Sequence, residues 1–576
     1  MGFRGPSWVP KPSISSIPDS IPICEFLLTE KHGRASLASS KKPFIWGTTG
    51  EGYTALEVQQ RVDYLARALA HELGWRPNVG TEWDKVVCIF ALNTVDFFLL
   101  GWAVHRLSGI ASLASAAYSV DELTYQLRAS NIHALFTCLP LLDTALKAAE
   151  KCGIPRSRVY LLDMPRYLTG SVSKTQTFKS VGELIELGSR FDELEPLSWK
   201  KGQAIQQCAY LCFSSGTSGF PKGAMISHMN MISQVSLFAL FENHTRTKDQ
   251  RDIVLGLLPY SHIFGLSVFS SAIYRGDSVV VLSKFELDTL LGAIERCKID
   301  VLYVVPPVIV TMVKNADLMK KYDLSSVRHI ITGAAPLRNE TVEDLHCFQP
   351  TWSILQAYGL TETTAVATHT SPHDIFFGSS GCLLPLLEAQ LVTPDGALIE
   401  EYDTPGELLL RGPTIVLGYL NNEAANKETF QDGWLRTGDE AVFRKSPHNG
   451  EDHVFIIDRI KDIIKVKGFQ VAPAELEAHL LTHPAVTDTA VIGVCDDSAG
   501  ELPKAFVVKA SDLTISDQML IHDIQKHVQA HKARHKWLHG GIEFIDTIPK
   551  SASGKILRRH LRHNERRTRR KAGSKI

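Results

Sequence analysis

Short apolar runs that alternate with helical patterns constrain this chain more than any other feature. "KVVCIFALN" (85–93), "ALFTC" (134–138), "DIVLGLLPY" (252–260), "DSVVVLS" (277–283) and "VLYVVPP" (301–307) are apolar on both faces, and a helix-period stretch parts each from the next. A strand that is apolar on both faces must be covered on both sides, so the pattern predicts an α/β architecture with largely parallel, buried strands. The helix signals are equally local. In "YTALEVQQRVDYLARALAHELG" (53–74), Thr54 and Glu57 make a capping box. Val58, Val62, Leu65, Leu69 and Leu73 form one stripe, and Gly74 stops the helix.

With 576 residues the chain exceeds one ordinary core. Its texture changes after about residue 385, where "AQLVTPDG", "GELLLRGP" and "HVFIIDRIKDIIKVKG" read as hairpins. From Asp458 onward, helix, strand, strand and helix patterns follow closely. We therefore expect a large N-terminal α/β domain of several subdomains over 1–457 and a small mobile α+β domain over 458–576. A net charge of −1 gives no bulk electrostatic reason to expect nucleic acid. The ten scattered cysteines form no CxxC pair and no zinc-spaced cluster, so they read as reduced core residues. The most apolar stretch, "VVCIFALNTVDFFLLGWAV", is broken by Asn93, Thr94 and Asp96. It reads as strand, turn and helix rather than as a transmembrane segment.

"CFSSGTSGFPKG" (212–223) follows a buried run and crowds small hydroxyl and glycine residues ahead of Lys222. Backbone N–H groups, hydroxyls and one cation around a turn are the chemistry of a polyphosphate cradle. The spacing is not that of a Walker loop.

"SSGTSGFPKG" resembles the phosphate loop of the adenylate-forming enzymes, the superfamily of acyl-CoA synthetases and 4-coumarate-CoA ligases. Six further segments match in family order: "GAAPL" at 333, "QAYGLTETT" at 356, "GELLLRGP" at 406, "WLRTGD" at 434, "DRIKDIIKVKGFQVAPAELE" at 458 and "PKSASGKILRR" at 549. Within the superfamily the chain looks most like the fungal group of peroxisomal aryl- and acyl-CoA ligases, phenylacetyl-CoA ligase among them. The resemblance implies an AMP-forming ligase with two steps. A carboxylic acid attacks the α-phosphate of ATP to give an acyl-adenylate and pyrophosphate, and the thiol of coenzyme A then displaces AMP.

The resemblance also implies roles, motif by motif. Ser214, Ser215, Gly216, Thr217, Ser218, Gly219 and Lys222 would hold the β- and γ-phosphates. Thr361 would touch phosphate, and Glu362, with Thr217, would hold magnesium. Gly333, Ala334, Ala335, Tyr358 and Gly359 would enclose the adenine, and Asp439 with Arg459 would bind the ribose. Lys555 would bridge the carboxylate and the α-phosphate. Asp458 would be the hinge. After domain rotation Lys465 and Gln470 would serve the second step, beside Lys467, Gly468 and Phe469 at the pantetheine tunnel; a solvated strand face is the other reading of Lys465 and Lys467.

His262, in "LPYSHIFGL", matches the family's gate over the carboxylate. Phe264, Gly265, Ser267, Val305, Pro306, Gly359, Thr363, Thr364 and Val366 match pocket walls, and small residues there would leave room for a ring or a medium chain. "GLTETTAVATH" lacks the glycine-proline pair of the plant enzymes, so the plant substrate does not carry over. His369 and His373 have partial metal spacing without a third ligand and read as structural. Loading of a carrier protein in place of coenzyme A is the competing function, and a luciferase-like or catalytically dead relative is also conceivable. The chain ends in Ser574, Lys575 and Ile576, a variant of the Ser-Lys-Leu address read by the peroxisomal import receptor. We therefore expect a peroxisomal enzyme, otherwise cytoplasmic. The basic stretch "RRHLRHNERRTRRKAG" (558–573) before it reads as a solvated tail.

Overall fold

The structure is a computed structural model. It describes all residues except 1, 166–167, 169–177, 215–220, 336, 338, 468, 497–498, 511–514, 552–553 and 574–576, and for residue 339 and 568–573 it describes the backbone alone.

Two largely parallel sheets carry the apolar runs. The first has six strands in the order Val159–Leu162, Ala134–Cys138, Val86–Phe90, Ile110–Ala114, Cys208–Ser214 and Lys222–Ser227. Its pairs are parallel until the last, an antiparallel hairpin in which Ser214 faces Lys222. The second has nine strands. Its parallel centre runs through Phe44–Trp46, Ser278–Val281, Ile253–Gly256, Val301–Val304, His329–Thr332 and Ser353–Leu360, and antiparallel strands close both edges. Val86–Phe90 and Ile110–Ala114 are buried at every position, as two-sided cover requires.

The long amphipathic helix forms at Ala55–Leu73. Both halves of the Thr54/Glu57 capping box are made, and Gly74 ends the helix in the left-handed conformation. The apolar stretch around Asn93 is a strand, a turn and the buried helix Asp96–His105. Among the described residues no helix is long and apolar enough to cross a membrane. None of the ten cysteines is in a disulfide.

The hairpins after residue 385 supply six strands of an antiparallel sheet, and Phe3–Arg4 adds a seventh at its edge. The residues beyond Ile463 form a five-stranded sheet with cores of their own. Leu476 and Leu480 of one helix pack with Leu520, Ile524 and Val528 of another in one core, and Ile548 and Leu561 join a second.

The stretch 558–573 is not a free tail. It is helical, Leu561 is buried in that second core, Arg558 grips Glu477 (2.7 Å), and Glu565 pairs with Lys504. The reading as solvated chain failed because charge density hides a helix that buries one leucine and two ion pairs.

Candidate active site

The phosphate-loop residues Ser215, Gly216, Thr217, Ser218 and Gly219 lie outside the described residues. Their frame does not. The strands Cys208–Ser214 and Lys222–Ser227 bring Ser214 and Lys222 opposite each other. Tyr419 joins them to the next motif. Its hydroxyl donates to Glu362 Oε1 at 2.7 Å, and Lys222 Nζ sits 4.9 Å above its ring. Ser214 Oγ is 3.4 Å from the same carboxylate oxygen. The two motifs are therefore held together before any ligand binds. Tyr419 has no motif of its own, and sequence reasoning missed it.

Tyr358, Asp439 and Arg459 form a second cluster. Asp439 and Arg459 are register partners on neighbouring strands, which puts Arg459 Nε 2.7 Å from Asp439 Oδ1. Tyr358 donates to Asp439 Oδ2 at 2.6 Å. Burial pushes the Asp439 carboxyl up, and Arg459 and Tyr358 counter it. Asp439 lies within the long strand Trp434–Lys445 rather than in a turn.

Gly333, Ala334 and Ala335 follow the strand that ends at Thr332, and a Cβ at Gly333 would meet the Ala357 carbonyl oxygen at 2.7 Å. Gly333 is therefore small because the backbone of Ala357, one residue before Tyr358, passes beside it.

Lys555 enters the site from the far end of the chain. Its loop closes on itself through Ser551 N to Lys555 O, at 2.8 Å, and a Cβ on Gly554 would lie 3.3 Å from Pro307 Cγ and 3.6 Å from Val305 Cγ2. Burial, then repulsion from Arg459, lowers its ammonium to about 8. Asp439, Asp462 and Glu362 act in the opposite sense. His262 belongs to the same field, because burial and then Lys555 press its imidazole down to about 4. The ring is therefore neutral at pH 7, and its Nδ1 accepts from Phe264 N at 3.3 Å, capping the helix Ile263–Arg275. Asn93 fixes this turn from another domain layer: its side chain donates to Leu258 O (2.9 Å) and accepts from Tyr260 N (2.9 Å). Sequence reasoning had used Asn93 only to break an apolar stretch.

The expected pocket walls divide. Phe264 lies near Gly333, Val305 near the Lys555 loop, and Ser267 is buried with its hydroxyl unpartnered among the described residues. Two of the glycines have another reason to be small: a Cβ at Gly265 would come within 2.5 Å of Pro259 O, and one at Gly359 within 1.5 Å of Ala365 O. Backbone crossing, not room for substrate, requires them. Thr363 and Thr364 are fully buried, and their hydroxyls bond to backbone, Thr364 Oγ1 to Thr414 O at 2.6 Å. Thr364 and Ala365 both have positive φ, a strained pair that begins two residues after Glu362. Val366 and Pro306 are buried, and Thr361 is half-buried at the start of the short turn that carries Glu362. His369 is buried 3.9 Å from Glu242.

The second-step residues are not in this constellation. Lys465, Lys467, Phe469 and Gln470 are exposed on a small hairpin, and Phe469 stacks on His535. Gly468 lies outside the described residues. Asp458 is buried, and its carboxylate accepts from Arg459 N (2.7 Å) and Ala474 N (3.0 Å).

The structure thus brings a hydroxyl-and-lysine hairpin against Glu362, and sets Lys555 in the field of Asp439 and Arg459. The AMP-binding enzyme family matches residues 34–420, and the AMP-binding enzyme C-terminal domain matches residues 475–555. The acyl-CoA ligase easD of Emericella nidulans is 42% identical over 98% of this chain and 100% of its own. The acyl-CoA ligase cm3C of Cordyceps militaris is 40% identical, covering 98% and 90%. The solved anthranilate CoA ligase AuaEII, in complex with anthranoyl-AMP, shares the fold with a TM-score of 0.79 at 24% identity, covering 96% of this chain and 99% of that one. The chain belongs to the AMP-binding enzyme family. The reaction class expected from the motifs stands: ATP-dependent acid–CoA ligation through an acyl-adenylate.

Proposed function

We propose that this ligase activates an aromatic or medium-chain carboxylic acid for secondary metabolism, with magnesium, in the peroxisome. The observation that carries the catalytic part is Lys555, held near pKa 8 in one electrostatic field with Arg459, Asp439, Glu362 and His262. An ammonium fixed where an oxyanion and a phosphorane develop stabilises the transition state more than the ground state.

Lys222, Ser214 and the loop of Ser215, Thr217 and Ser218 bind the β- and γ-phosphates. Asp439 and Arg459 take the ribose, and Tyr358 the adenine. The acid's carboxylate oxygen attacks the α-phosphorus, the bond to the pyrophosphate oxygen breaks, and Lys555 neutralises charge between the two. Glu362 and Thr217 would hold magnesium, which supplies charge neutralisation on the triphosphate. The donor set fits a hard cation, since Glu362 presents carboxylate oxygen beside the Ser214 hydroxyl. For the second step the domain turns about Asp458 and brings Lys465, Gln470 and the Lys467–Phe469 hairpin to the adenylate. The thiol sulfur then attacks the acyl carbon, its proton is lost and AMP leaves.

The acyl class rests on the match of Phe264, Ser267 and Val305 to the family's pocket walls: two are apolar, and the Ser267 hydroxyl has no partner among the described residues. The address is Ser574–Lys575–Ile576. Pyrophosphate release over aryl, arylacetic, cinnamic and C6 to C12 acids, each with and without coenzyme A, tests the reading. One class giving both pyrophosphate and thioester supports it. Adenylation that ignores coenzyme A would move carrier loading to the front.

A further inference from the structure

Four histidines gather on the small C-terminal domain, none of them assigned a part in the reaction. The helices Pro473–Leu480 and Asp517–His531 pack through Leu476, Leu480, Leu520, Ile524 and Val528. Where that contact ends, His479 of the first helix lies flat on His527 of the second, with ring centroids 4.4 Å apart and an interplanar angle of 8°. His531 is one turn beyond His527 on the same face, 5.4 Å from it and 5.3 Å from His479. One ring nitrogen from each of the three lies within 4.8 Å of the other two.

Each of the three rings has one nitrogen against a hydrogen-bonding oxygen, His527 Nε2 also facing His479 O at 3.4 Å. His479 Nε2 faces His527 O at 3.2 Å, His531 Nδ1 faces His527 O at 3.0 Å, and His527 Nε2 faces the Thr482 hydroxyl at 2.8 Å. An imidazole that donates one N–H to a backbone carbonyl presents the other nitrogen as a lone pair. This is the second-contact pattern that orients metal-binding histidines.

We propose that His479, His527 and His531 form a binding site for a divalent transition-metal cation of the zinc, nickel and copper class. Three imidazoles without a carboxylate select this class over magnesium or calcium, which take oxygen ligands. Tetrahedral bonds of about 2.0–2.1 Å from zinc to nitrogen put the nitrogens about 3.3 Å apart, so the stacked rings of His479 and His527 must turn their edges to the ion, with water in the fourth position. His483 stands beside the site, 5.2 Å from His527, but its Nε2 is turned to Asp523 at 3.2 Å. The ion would clamp the two helices together. The first of them begins at the hinge carboxylate, since Ala474 N donates to Asp458.

The test needs no catalytic activity. Full-length protein, stripped with a chelator, is titrated with zinc chloride by calorimetry and, in parallel, melted with and without zinc. We expect one equivalent to bind and to raise the Tm. His531→Asn and His527→Asn should each weaken binding by about 10–100-fold and abolish the Tm shift. His71→Asn, on a distant helix, should change neither. His531 is exposed, so its replacement should leave the fold intact. Wild-type zinc binding by His531→Asn, or no stoichiometric binding by the wild type, would overturn the proposal.

Discussion

Replacing Lys555 by alanine should separate the two half-reactions. The side chain is buried beside Arg459, Asp439 and Glu362, and with a pKa of about 8 it is about nine-tenths protonated at pH 7. It therefore delivers nearly a full positive charge to a partly enclosed site. Removing one preorganised donor at a developing anion typically costs about 10²–10³ in rate, or roughly 3–4 kcal/mol. We expect that loss in pyrophosphate exchange or single-turnover adenylate formation. Thioester formation from supplied acyl-AMP, which follows after the domain has turned, should stay within about threefold. The pH profile gives a second reading. A lysine is the active cation below its pKa, so adenylation should fall as pH rises through about 8. Lys555→Arg keeps its charge, so any activity it retains should lack that alkaline limb. Equal loss of both half-reactions in Lys555→Ala would refute the division of labour.

Asp439→Asn leaves Arg459 without its 2.7 Å partner, so it should raise the KM for ATP and cost about 2–3 kcal/mol in urea unfolding. Tyr358→Phe keeps the ring but loses the 2.6 Å bond to Asp439, so it should weaken ATP binding by about tenfold in a direct titration. Because His262 is held near pKa 4, the pH–rate profile should show no limb near 6.5 from this residue, and His262→Gln should leave the acid limb unmoved. Deleting Ser574–Ile576 should leave activity intact and release a fluorescent fusion from peroxisomes to the cytosol, whereas truncation at Leu557 should lower the Tm by removing Leu561 from its core and Arg558 from Glu477.

Residues close in sequence were legible where local physics acts alone. Thr54 and Glu57 lie within one helical turn, so their capping box needs no tertiary partner to be recognised. The apolar runs became buried strands because burial on both faces is written into their composition. The motifs named Lys222, Glu362, Asp439, Arg459 and Lys555, and the structure gathers the last four into one electrostatic field. Glycines were legible as small but not for their reason. Gly359 and Gly265 yield to crossing backbone, which only three-dimensional approach reveals.

By itself, then, the sequence determined the strand–helix alternation and the motifs with their order, since each is written in residues a few positions apart. Tertiary structure decided what joins them. Tyr419 reaches Glu362 across 57 residues and Asn93 holds the His262 turn across 167. The basic stretch at 558–573 becomes a docked helix, and three histidines from two helices meet at one point. Hydrogen bonds and burial act over a few ångströms of space whatever the separation along the chain. Such contacts therefore exist only once the sheets and helices have packed.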